Sequence, residues 1–98
     1  MKPERIVSAK AIDDSTLIVK FTNSEIRKYD ISKLLDNVMF SDLRNPGFFR
    51  NFRIEPGGYG LVWNEDIDLS EYELWQNGIS LTDEEIEQYI ESIHSVAH

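Results

Sequence analysis

The 98-residue chain contains no cysteine, which excludes a disulfide framework and a thiolate metal site. That absence suits a reducing compartment, and a cytoplasmic location is expected. The only two histidines, His94 and His98, fall in the last five residues, so no Ser-His or Cys-His nucleophile is expected. No apolar run approaches the length of a membrane span. The opening MKPERIVSAKAIDD also lacks the apolar segment of a secretory signal. No Gly-rich phosphate loop occurs, and no cofactor is implied. The most informative absence is positional: no Lys or Arg follows residue 60.

Residues 1–60 hold all ten Lys and Arg against eight Asp and Glu, whereas residues 61–98 hold ten acids and no base. The net charge of −8 therefore resides in the last third. Such a field repels nucleic acid and draws in basic protein surfaces. Solubility alone also favours an acidic surface.

The chain is long enough for one domain with a core of its own. Three strands are expected first: Ile6 to Ile12, Thr16 to Thr22, and a polar, edge-like return over Glu25 to Asp30. Leu17, Val19 and Phe21 share one face of the second. Asp30 or Ser32 can cap a turn through Leu34 and Leu35, and Val38 to Leu43 reads as helix or irregular. Asn45-Pro46 is a helix start, with Phe48, Phe49 and Phe52 at helical spacing behind it. Pro56 to Gly60 must turn, joining short strands at Phe52–Glu55 and Gly60–Trp63. Ser70-x-x-Glu73 and Thr82-x-x-Glu85 both fit the capping box. The first of these helices stops at Asn77-Gly78. The second is expected to reach about Ser95 with Ile86, Tyr89, Ile90, Ile93 and Ala97 in one stripe. The expected fold is α+β: a three-stranded N-terminal meander and a second short hairpin, packed with short helices and a C-terminal amphipathic helix. Its expected division is a compact unit at residues 1–78 and an appended acidic helix at 79–98.

Four groups of residues invite a chemical reading. In WNEDIDLSEYELW (63–75), Glu65, Asp66 and Asp68 suggest a calcium loop, which needs glycine at its sixth position and Glu at its twelfth. Counting from Asp66 gives Glu71 and Asn77, and from Asn64 gives Leu69 and Trp75, so the spacing fails. The stretch reads better as a polar turn and a helix start, anchored by Trp63, Ile67, Leu69 and Trp75. Glu87, Glu91, His94 and His98 share one flank of the last helix, but a single helix offers too few ligands for more than adventitious metal binding. Arg44, Arg50 and Arg53 interleave with Phe48, Phe49 and Phe52, a pattern able to track phosphate and stack bases. An amphipathic helix with Phe inward and Arg outward accounts for it equally, and the acidic third opposes nucleic acid. The fourth group is the base-free acids, with Asp66, Asp68, Glu71, Glu73, Glu84, Glu87 and Glu91 as the candidate contacts to a protein partner.

The order of Leu17-x-Val19-x-Phe21, Asp30, Phe49, Trp63 and Asp68-Leu69 followed by Tyr72 resembles the small bacterial family called domain of unknown function 2442. The resemblance runs over about residues 5 to 76. It implies a compact α+β unit with a small antiparallel sheet and no established activity or cofactor. For some members it implies an antitoxin-like role in a two-gene pair. Others carry a helix-turn-helix domain after this unit. The 20 residues beyond Gly78 are too few for one, so direct DNA repression is not expected. The expectation is thus a non-catalytic, protein-binding module whose partner is basic or toxin-like. The alternatives are a homodimer through the helix from Thr82, and a small ligand carrier or enzyme. The last would need a concave pocket with convergent polar groups.

Overall fold

Thr16–Phe21 (TLIVKF) has branched or aromatic side chains at most positions, a composition that suits a strand covered on both faces. In the computed structural model, which describes residues 4–89, it is β2 of a four-stranded antiparallel sheet. The neighbours are β1 (Ile6–Ala11), β3 (Ile26–Asp30) and β7 (Ile79–Ser80), in the order β1-β2-β3-β7. Leu17, Val19 and Phe21 are at most 1% exposed and face the main core. Ile18, pointing the other way, is also buried, against Ile26 and Leu81 with Ile86 and Tyr89 over them. In β1 an extra residue between Ile6 and Ser8 breaks the register with β2, and this bulge leaves Val7 exposed.

Polar side chains close both turns of the meander. Asp13 Oδ1 accepts hydrogen bonds from the N–H groups of Ser15 and Thr16. The first of these does most to hold the Asp13 carboxyl below its usual range. Asn23 Oδ1 accepts from Glu25 N, with Ser24 in the left-handed region at φ 73°. Contrary to expectation, β3 is not an edge strand, because Arg27 and Lys28 pair with Ser80 and Ile79 of β7. A two-residue strand lies below what period-2 patterning can reveal.

Asp30 caps the 3₁₀ helix Ile31–Asp36, Asn37 caps a second one at Val38–Arg44, and Asn45 caps helix α1 (Pro46–Arg50). The second sheet is larger than the expected hairpin. Strands β4 (Arg53–Ile54) and β5 (Gly60–Val62) are joined by β6 (Asp68–Ser70), in the order β4-β5-β6. Asn64 Oδ1 accepts from Asp66 N and Ile67 N and thereby turns the chain so that Leu69 faces Leu61. Asp68 is therefore strand rather than the approach to a helix. Helix α2 (Glu71–Asn77) follows, and α3 (Asp83–Gln88) comes after β7.

The core lies between the two sheets, with Phe21, Ile31, Phe49, Leu61 and Leu74 fully buried within it. Both tryptophans pin it. Trp63 stacks on Phe49 at 6.3 Å and donates Nε1–H to the Phe49 carbonyl at 2.7 Å. Trp75 meets Phe21 edge-on at 5.0 Å. Gly58, at φ +76°, lies against the Ile6 backbone, which donates N–H to its carbonyl at 2.9 Å. Any Cβ there would overlap Ile6.

The boundary expected after Gly78 falls immediately before β7. Residues 79–89 are thus hydrogen-bonded to β3 and packed on the outer face of the first sheet. Of the expected apolar stripe, Ile86 and Tyr89 pack there, while Ile90, Ile93 and Ala97 lie outside the described residues.

Candidate functional site

Two features of the surface are candidates for a site: the acids of the last third, and a cleft beside β3. The acids do not form one constellation. Asp66 and Asp68 are exposed on the turn before β6 and on β6 itself, and Glu71 opens α2. Glu84 and Glu87 are exposed on α3, against the opposite face of the first sheet. Glu91, with His94 and His98, lies outside the described residues. Among the described residues no ion pair reaches Asp66, Asp68, Glu71, Glu84 or Glu87. No group of three or more potential metal-binding side chains occurs there either.

Glu73 behaves differently. The expected capping box at Ser70 is only half formed: Ser70 Oγ accepts from Glu73 N at 3.1 Å, but the Glu73 carboxylate does not return to the cap. Its Oε2 instead accepts from Tyr29 Oη–H at 2.7 Å and from Asn77 Nδ2 at 2.9 Å. A buried phenol provides a better partner than an exposed backbone N–H that water can satisfy. Burial first, and then the hydrogen bond to Glu73, pushes the Tyr29 hydroxyl well above its usual range. The box at Thr82 does close, and Glu85 within it also takes Lys28 Nζ at 2.7 Å.

Tyr29 and Glu73 line a cleft of about 700 Å³ between the β1–β2 turn, the first 3₁₀ helix, α2 and β7. Its walls combine Ile12, Leu34, Ile79 and Tyr89 with the polar groups of Asp13, Asp30, Lys28 and Lys33. Its residues come from four stretches of the chain, so sequence spacing carried no trace of it. The one local signal was Tyr29 itself, an aromatic in an otherwise polar strand.

In the Arg-Phe segment the aromatic side chains serve the core. Phe49 is fully buried, and Phe48 and Phe52 pack on the core. Arg44 donates to the Leu35 carbonyl, and Arg50 to the Ala11 carbonyl and to Asp14. Arg53 lies on β4 rather than on the helix. Arg27 is tied down most firmly. It donates to the carbonyls of Trp75 and Gly78 at the end of α2, pairs with Glu25 at 3.1 Å, and lies 4.0 Å over the Trp75 ring. It thereby supplies the positive charge that the last turn of α2 lacks.

No helix among the described residues is long and apolar enough to cross a membrane. No curated protein and no solved structure matches the chain. A family model does match, over residues 6–80, from the first residue of β1 to the last residue of β7. The chain therefore belongs to the family described as protein of unknown function (DUF2442).

Proposed function

We propose that the protein is a non-catalytic binding module of the cytoplasm whose partner is a basic protein. It would act as the antitoxin-like half of a pair, the role implied for some members of the family it resembles. One observation carries this reading: several bases are engaged within the chain, whereas five acids of the last third pair with no base among the described residues. Arg27, Lys28, Arg44 and Arg50 each bond to a carboxylate or carbonyl of the same chain, and Arg5 lies 3.8 Å over the Tyr59 ring. Among the described residues Asp66, Asp68 and Glu71 make no ion pair, and Tyr72, next to Glu71 in α2, is exposed. Exposed carboxylates without a cation suit a surface rich in Arg and Lys through long-range steering, and an exposed tyrosine can add a cation–π contact.

The test is affinity capture from the native cell at low and high salt, read by mass spectrometry. It is repeated with a variant carrying Asp66→Asn, Asp68→Asn and Glu71→Gln. A basic protein retained at low salt, released at high salt and held less well by the variant is expected. Retention of no partner at low salt, or of a partner indifferent to the variant, refutes the reading.

A further inference from the structure

From the cleft at Tyr29 we infer that the basic partner anchors itself by inserting an arginine side chain there, a step that rests on the functional reading above. The charge of the lining comes first. Asp13, Asp30 and Glu73 contribute three carboxylates, and Lys28 is neutralised by Glu85 at 2.7 Å. Lys33 is left as the unpaired cation of the lining among the described residues. An anionic ligand would meet three repelling groups and one attracting; a cation meets three attracting and one repelling.

Hydrogen-bonding capacity narrows the class. Glu73 Oε2 is held by Tyr29 and Asn77, which fixes the carboxylate and leaves Oε1 open. Asp30 Oδ1 is held by Ser32 N at 2.8 Å, which leaves Oδ2 open in the same way. Two carboxylates, each fixed by one oxygen and open at the other, suit a planar donor with several N–H groups better than a compact ammonium. Ile12, Leu34 and Ile79 offer apolar wall to the methylene stem, and Tyr89 offers a ring to the guanidinium. Ile79 is 63% exposed although it stands in a strand, so a stem lying along it would cover apolar surface now in water. The volume of about 700 Å³ falls within the ~300–1,000 Å³ common for specific pockets and admits a long side chain with part of its backbone. Cleft and acidic surface then act together: exposed acids draw the basic partner in, and the cleft fixes one of its side chains.

The probe is a capped Gly-Arg-Gly tripeptide at millimolar concentration, compared with the same peptide carrying citrulline, the neutral isostere. Backbone amide shifts of the 98-residue chain are followed by NMR. The Arg peptide is expected to shift Tyr29, Asp30, Leu34, Asn77 and Ile79, and the citrulline peptide to leave them in place. Glu73→Gln, which can still accept from Tyr29, and Asp30→Asn should each weaken binding about five- to tenfold. Lys33→Ala should tighten it, a sign opposite to any anion site. Equal shifts with citrulline, shifts elsewhere, no shifts at all, or weakening by Lys33→Ala overturns the inference. A captured partner bound equally by wild type and Glu73→Gln sinks the arginine anchor and spares the functional reading. Arg-specific shifts with no partner captured do the opposite.

Discussion

Replacing Tyr29 by Phe removes one hydroxyl and little else, so it isolates the tether between β3 and α2. Tyr29 is 6% exposed, and its Oη–H donates to a carboxylate at 2.7 Å. A hydrogen bond to a charged group contributes about 1.5–3 kcal/mol when both partners are sheltered. Glu73 is half-buried and keeps its bond from Asn77, and water can replace the phenol, so the expected loss at pH 7 is nearer ~1 kcal/mol. The same bond predicts an alkaline signature. The folded state raises the Tyr29 pKa above its ordinary 10.0, so the unfolded chain loses that proton first. The Tyr29 contribution is therefore complete below about pH 10 and declines as the pH rises above it, by at most ~1.4 kcal/mol per pH unit for one proton. Urea unfolding followed by far-ultraviolet circular dichroism at pH 7, 9, 10.5 and 11.5 would separate the two effects. Wild type should lose its advantage over Tyr29→Phe across the last two points. Equal stability at pH 7 together with parallel alkaline decline would refute both the bond and its electrostatic reading.

Three further outcomes follow from the same structure. Trp63→Phe removes the Nε1–H bond to the Phe49 carbonyl and part of a buried ring, and should cost about 2 kcal/mol in chemical denaturation. Trp75→Phe is the control, because the Trp75 indole N–H makes no hydrogen bond within the described residues, and it should cost less. Gly58→Ala forces a side chain into a φ of +76° and against the Ile6 backbone, so a loss above ~2 kcal/mol is expected, with β1 amides exchanging faster in hydrogen-exchange NMR. Salt should act with opposite signs on the free and bound protein. Raising ionic strength from about 20 to about 300 mM screens acid–acid repulsion and should raise the free protein's melting temperature, while weakening a complex with a basic partner.

Local chemistry made much of the architecture legible, and the unreadable parts were non-local. Leu17, Val19 and Phe21 announced β2 by alternation, and Asn45-Pro46 and Thr82-Glu85 announced their helices because a cap needs only a few consecutive residues. β7 escaped because Ile79-Ser80 has no pattern of its own and exists as a strand only because Arg27 and Lys28 lie beside it. β6 escaped because Ser70 both ends the strand and caps a helix, and Asp68 before it reads as charge at a helix start although it stands in the strand. At Ser70 the box failed because Tyr29, 44 residues from Glu73, outbid the local partner. Glu73 was foreseen as an acid facing a partner, but its place in the cleft lining depended on that distant tyrosine.

Segregation of charge along the chain is only partly undone by folding, and the manner of its undoing matters. β3 places Arg27 and Lys28 next to the segments that follow residue 60, where Arg27 caps α2 and Lys28 neutralises Glu85. Those two bases consolidate β7 and α3 on the sheet, so their charge goes into holding the acidic third in place. Arg44 and Arg50 are likewise spent on carbonyls and Asp14 of the first two-thirds. Among the described residues Asp66, Asp68 and Glu71 make no ion pair, and they stand on elements fixed by Trp63, Leu69 and Leu74 in the core. Rigid placement of uncompensated charge costs the isolated protein some stability through self-repulsion, and a basic partner would recover it on binding.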